Sequence, residues 1–294
     1  MNRRDFLRNT AVLTAGAAIF NDYPSFAKVI KEKGEPNIRI GIVSDVHIMR
    51  DDPHTADTWR HTLEYFRDRK VDGVLVAGDI ADHGLESELR IFADTWNSVF
   101  PGDRLPDGSK VERLFVYGNH DVNTWSDIRK MFQTDADYLA DHIADHRAET
   151  WKRVFKEDFQ PITFKTVKGY HFIGAHWFNG DSVDGLAEFI GARHSKLAGT
   201  KPFFYFQHPP IAGTTSDSFG WADNGVTKPI LDAFPNCVAF TGHTHCPFID
   251  ERQIWQGEFT AVGIPSLSYA SLPGGHENGE GNRGGKSKQA MPPV

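Results

Sequence analysis

The chain is poor in sulfur, in long apolar runs and in excess positive charge. It has 294 residues, two cysteines and four methionines. Cys237 opens an apolar strand, while Cys246 lies beyond a strand-end loop. A straight strand holds the two too far apart for disulfide geometry, even in an oxidising compartment. Cys237 therefore reads as a buried thiol and Cys246 as incidental. The apolar run from Ala11 to Phe20 is shorter than the roughly 20 residues that cross a bilayer. The formal net charge of −7 argues against a nucleic-acid-binding surface. There is no internal repeat. The length suits one large domain or two small ones, and no second domain is visible.

What is present begins with a distinctive amino terminus. Arg3 and Arg4 stand before Asp5-Phe6-Leu7, and a small-residue apolar stretch follows. Ser25-Phe26-Ala27 supplies the small residues a signal peptidase needs. The segment resembles a bacterial twin-arginine export signal, with cleavage after Ala27. The implied location is periplasmic or secreted, without a transmembrane anchor once the signal is removed. No cysteine near the cleavage region supports a lipid anchor. Residues 28–37 read as a polar linker, 38–272 as one domain and 273–294 as a Gly-rich polar tail.

Within the domain, apolar strands alternate with helical patterns. Strands are expected at Ile38–Val43, Val71–Ala77 and from Leu114. The intervening helices run over Thr55–Lys70, with Trp59, Leu63 and Phe66 inward, and over Leu85–Val99, with Leu89, Phe92 and Trp96 inward. Residues 124–156 read as mainly helical. Further strands are expected at Ile162–Val167, Tyr170–Ala175, Pro202–Phe206 and Cys237–Phe240, with helices over 184–197 and 228–234. Two antiparallel strands follow near Ile254 and over Phe259–Val262. This rhythm predicts an α/β fold with parallel strands and helical crossovers, in which ligands bind at the carboxyl ends of strands.

Those ends carry a recurring chemistry: Asp45-x-His47, Gly78-Asp79, Gly118-Asn119-His120-Asp121, His208 and Gly242-His243-x-His245. On an extended chain, residues two apart face the same side, so Asp45 and His47 can grip one ion. A carboxylate has two oxygens, so Asp79 can bridge two. The donors are nitrogen and oxygen, which suits Mn, Fe or Zn better than an iron–sulfur centre. Calcium would require more oxygens. Gly118 reads as a sharp turn after its strand.

The ordered set resembles the calcineurin-like metallophosphoesterase family over roughly residues 38–267. The resemblance implies a four-layer α/β/β/α sandwich with mixed sheets, incomplete at its carboxyl end because only two strands follow the last motif. It implies two divalent metal ions, one held by Asp45, His47, Asp79 and His245, the other by Asp79, Asn119, His208 and His243. It further implies hydrolysis of a small phosphorylated substrate, a mono- or diester, through a metal-bridging hydroxide. His120 is the candidate general acid, protonating the leaving oxygen or bracing the transition state, and Asp121 is expected to orient its ring or else to cap the next helix. Where purple acid phosphatases carry a tyrosine, this chain has Asp82, so an iron–tyrosinate centre is not expected. His83 stands where many relatives carry arginine and is a candidate substrate contact, as are His176 and Trp221 near the same rim. A metal-holding scaffold without turnover is the alternative, but it would have no use for His120.

Overall fold

The computed structural model describes residues 37–122, 141–143, 146–176, 184–216 and 221–271. The expected export signal, the Gly-rich tail and residues 124–140 of the expected helical stretch lie outside these residues. Strand β1 (Ile40–Val43), helix α1 (Pro53–Asp68), strand β2 (Gly73–Ala77), helix α2 (Glu86–Val99) and strand β3 (Glu112–Val116) follow in order. The three strands form a parallel sheet in the order β1-β2-β3. Asp52 caps α1 by accepting the His54 N–H, and Pro53 opens the first turn, where no N–H is needed.

Helix α3 (Arg147–Phe155) leads to strands β4 (Ile162–Val167) and β5 (Tyr170–Ala175). Short helices α4 (Leu186–Gly191) and α5 (His194–Leu197), strand β6 (Phe203–Gln207), helix α6 (Thr227–Leu231), and strands β7 (Cys237–Thr241), β8 (Ile254–Gln256) and β9 (Thr260–Gly263) follow. The second sheet has the order β4-β5-β6-β7-β9-β8. Its outer pairs, β4/β5 and β8/β9, are antiparallel, and the inner pairs are parallel. The mixed character therefore belongs to the second sheet, while the first is wholly parallel. The single helix expected over 184–197 is two, because Gly191, a poor helix former, closes the first.

Alternation along the central strands builds four layers. In β2, Val74 and Val76 face α1, α2 and α3, whereas Leu75 and Ala77 face the other sheet. In β6, Phe204 and Phe206 fill the space between sheets, and Phe203 and Tyr205 face α4, α5 and α6. Strands covered on both faces read as continuous apolar runs, which is why they were legible. Trp59, Leu63, Phe66, Leu89, Phe92 and Trp96 are all buried on the inward helix faces. Trp59 stacks on Phe92 at 4.6 Å between ring centroids. Cys237 and Cys246 are both buried and neither is in a disulfide, so Cys246 is a packed residue rather than an incidental one. Among the described residues no helix is long and apolar enough to cross a membrane.

Candidate metal centre

The loops leaving β1 and β2 continue side by side. The Asp45 N–H donates to the Gly78 carbonyl and the His47 N–H to the Asp79 carbonyl, both at 3.0 Å. The two sheets are then tied together by their ligand-bearing loops, because the His243 N–H points at both Asp45 carboxylate oxygens, at 3.2 and 3.1 Å. Asp45, His47, Asp79, His243 and His245 all have left-handed backbone, with φ between +49° and +72°. Such conformations cost free energy for residues with a Cβ and persist only where the surroundings enforce them. The rule that residues two apart share a side on extended chain is therefore not what aligns Asp45 with His47. Their side chains converge through consecutive left-handed turns.

Besides a cluster of His47, Asp82 and His120, two groups of donor atoms result. Asp45, His47, Asp79 and His245 form one, and Asp79, His208 and His243 another, with the atoms of each lying within 4.8 Å of one another. In the first, His245 Nε2 is 2.9 Å from Asp45 Oδ1 and 3.2 Å from His47 Nε2. In the second, His208 Nε2 is 3.1 Å from Asp79 Oδ2, 2.9 Å from Asn119 Oδ1 and 3.1 Å from His243 Nδ1. Asp45, His47 and His208 are fully buried, and Asp79 and Asn119 nearly so. All seven residues expected to hold metal thus meet at one place, and Asp79 belongs to both groups.

The donor set fits cations for a reason visible in the histidine tautomers. His208 Nδ1 lies 2.7 Å from the Ala77 carbonyl and His245 Nδ1 3.0 Å from the Tyr269 carbonyl. His47 Nδ1 lies 2.8 Å from Asp82 Oδ1. Each of these partners accepts a proton from Nδ1, which turns Nε2 inward as a lone-pair donor. Two such nitrogens, of His47 and His245, then face each other at 3.2 Å with no proton between neutral rings. A metal ion placed between them would be met by both lone pairs. Burial alone would raise the Asp45 and Asp79 carboxyls, but the neighbouring histidines hold both well below the usual carboxylate range. Burial alone would lower His208, yet Asp79 and Asp45 push it up to about 9.

The glycines before the donors are required by space. A Cβ at Gly118 would lie 2.2 Å from Asp79 Oδ1, and one at Gly242 would lie 1.8 Å from Ser44 Oγ. Gly118 does not have positive φ, so its role is close approach to the carboxylate rather than the sharp turn expected from sequence.

The remaining candidates divide. His120 is beside the centre, its ring 4.6 Å from that of His47, with its N–H donating to Asp79 Oδ1 at 2.8 Å. Its Nδ1 is held 2.7 Å from the Asp82 carbonyl. Asp121 does not orient that ring. Its buried carboxylate instead accepts the N–H groups of Ile80, Ala81 and Gly118 at 3.2, 2.7 and 2.7 Å, pinning the β2 and β3 loops together. Burial and Asp79 raise it to about 7, opposed by those hydrogen bonds. His83 has both ring nitrogens beside carboxylates, Nδ1 at 2.9 Å from Glu88 and Nε2 at 3.2 Å from Asp82. This makes it a brace of the β2 loop rather than an open substrate contact.

His176 is not at the rim. It is buried among Tyr117, Trp151 and Phe159, and its Nδ1 accepts the Tyr117 N–H at 3.0 Å. Burial lowers it to about 3, so it is neutral. It lies under the β3 loop and steadies the segment that carries Asn119. Trp221 does reach the rim, exposed, with its ring 5.5 Å from that of His243. Two residues were missed. Asp82 orients His47, and its sequence signal was its place three residues after Asp79, read only for the tyrosine it replaces. Tyr269 lies against His245 at 4.1 Å and His47 at 5.6 Å. Nothing local in Ser268-Tyr269-Ala270 signals that.

Two layers of helix around two sheets, with a buried Asp/His cluster at the strand ends able to hold two metal ions, define a dimetal hydrolase architecture. The sequence profile of the calcineurin-like phosphoesterases matches residues 38–247, and the chain belongs to that family. It is accordingly a phosphoric ester hydrolase. Among solved structures, it is similar to a dimetal phosphatase from Danio rerio at 12% identity and a TM-score of 0.50, covering 79% of this chain and 88% of that one. It is also similar to a purple acid phosphatase from yellow lupin (Lupinus luteus) seeds at 16% identity and a TM-score of 0.46, covering 72% of this chain and 40% of the lupin chain. The first likeness supports the fold. No curated protein matches the sequence.

Proposed function

We propose that the chain is an exported binuclear-metal phosphoesterase acting on phosphate mono- or diesters, with Asp45, His47, Asp79, Asn119, His208, His243 and His245 as metal ligands. The observation that carries this reading is the sharing of Asp79 by two donor groups, each with inward-facing ring nitrogens. Two divalent ions, of Mn, Fe or Zn, would supply Lewis acidity, lower the pKa of water and offset phosphoryl charge. The chain's own work is to hold the donors before substrate arrives. The left-handed turns and the His243 N–H on Asp45 fix the carboxylates without reorganisation.

His120 serves as the general acid. Its Nδ1 proton is committed to the Asp82 carbonyl, which leaves Nε2 to protonate the departing oxygen. Burial opposes its protonation, while Asp79 and the Asp82 carbonyl raise its pKa above the ordinary value. Asp121 acts beneath the site by holding the two loops in register.

The test is hydrolysis of p-nitrophenyl phosphate and its bis ester by the Mn²⁺-loaded protein. Turnover of either, abolished by chelator and restored by Mn²⁺, is expected. No metal-dependent hydrolysis of these esters or of nucleotides would leave a scaffold of the same fold. Export rests on Arg3-Arg4 and the apolar run from Ala11. A reporter fused to residues 1–36 should appear outside the cytoplasm, and the same fusion carrying both Arg3→Lys and Arg4→Lys should not. Cytoplasmic retention of the first would overturn this part.

A further inference from the structure

Trp221 is one of three exposed large apolar side chains among the described residues, at 52% exposure. An exposed tryptophan usually has a use, because its large apolar surface is normally buried. Its ring meets that of His243 at 5.5 Å and 70°, so an exposed indole lies one side chain away from the metal centre. The chain that follows it is anchored. Two residues on, buried Asp223 accepts the N–H groups of Ala212 and Gly225 at 3.1 and 3.0 Å and a Gln207 Nε2 hydrogen at 3.1 Å. The Asp223 N–H in turn donates to the Pro210 carbonyl at 2.9 Å. Gln207 ends β6 immediately before His208, and Tyr205 and Thr227 hydroxyls fix its other amide atom. One buried polar network therefore sets both His208 and the backbone beside Trp221.

We infer that Trp221 is a stacking wall for the organic part of the substrate, and that the site favours phosphate esters bearing a flat aromatic or heteroaromatic ring, as in a nucleotide. This rests on the phosphoesterase reading. With phosphate held beside His243, a ring attached through a sugar would extend toward the indole. Beside His245 the site is lined by Tyr269, whose ring is tilted against that of His245 and only partly exposed. Aromatic–base stacking of this kind changes affinity by about tenfold.

The experiment is calorimetric titration of the Mn²⁺-loaded full chain with adenosine 5′-monophosphate and with ribose 5-phosphate, which differ by the base. The wild type should bind the nucleotide about tenfold more tightly. Trp221→Ala should bring the ratio close to one, and Trp221→Phe should keep most of it. Equal affinities in the wild type, failure of both to bind, or a ratio untouched by Trp221→Ala would overturn the inference. Binding does not require turnover, so a nucleotide preference without hydrolysis counts against the phosphoesterase reading alone. Hydrolysis without the preference counts against the stacking wall alone.

Discussion

Replacing Gly118 by alanine adds one methyl group at the most crowded point of the centre. That carbon would sit 2.2 Å from Asp79 Oδ1 and 2.3 Å from the Asp79 amide nitrogen, where ordinary contact begins at 3.4 Å. The carboxylate and its backbone must move by roughly 1 Å to admit it. Asp79 belongs to both donor groups, so the displacement reaches both ion positions at once. Overpacking of this kind costs about 1–3 kcal/mol of stability. A misplacement near 1 Å costs on the order of 100-fold in rate. The assay is elemental analysis of bound Mn together with kcat on p-nitrophenyl phosphate. Gly191→Ala, where an added Cβ meets nothing within 4 Å, is the control. Gly118→Ala should remain folded, lose metal and lose about two orders of magnitude in kcat, while the control keeps both. Full metal content with wild-type kcat in Gly118→Ala would refute the claim that close approach to Asp79 builds the site.

Asp82→Asn should weaken metal binding by about 10–100-fold, because Asp82 fixes the Nδ1 proton of His47 by charge as well as geometry. Unchanged affinity in a Mn²⁺ titration would remove it from that role. His120→Ala should keep its metal but lose turnover on alkyl phosphates far more than on p-nitrophenyl phosphate, whose leaving group needs little protonation. Equal losses on both would argue against general acid catalysis. His176 titrates near 6.5 when unfolded and near 3 when buried, so the unfolded chain binds the extra proton and stability falls as pH drops from 6.5 toward 3. Denaturant unfolding of His176→Gln should lose about 1.4 kcal/mol per pH unit less than wild type below 6.5. Parallel pH profiles would show that His176 is not held neutral.

Sequence carries some of this site and not the rest, for physical reasons. Strands such as β2 and β6 are covered on both faces, so they announce themselves as apolar runs, and the first polar residue beyond each is a donor. Asp79, Asn119, His208 and His243 were legible on those grounds. The contacts that failed to show are those made across the fold. Asp82 reaches His47 over 35 positions, and His176 reaches Tyr117 over 59. No local period encodes either. Asp121 was read as a partner of its neighbour His120, since adjacency is all that sequence offers. Folding instead turns its carboxylate toward the backbone of another loop. The left-handed turns at Asp45 and His47 were hidden for the same cause, because tertiary bonds to Gly78 and Asp79 impose them against local preference.

The central claim is that seven side chains from two sheets cage a pair of divalent ions around Asp79. Anomalous difference density from a Mn²⁺-loaded crystal measures it directly. Two peaks are expected, one among Asp45, His47, Asp79 and His245, the other among Asp79, Asn119, His208 and His243. Density at neither position, or a lone ion that does not touch Asp79, would contradict the account.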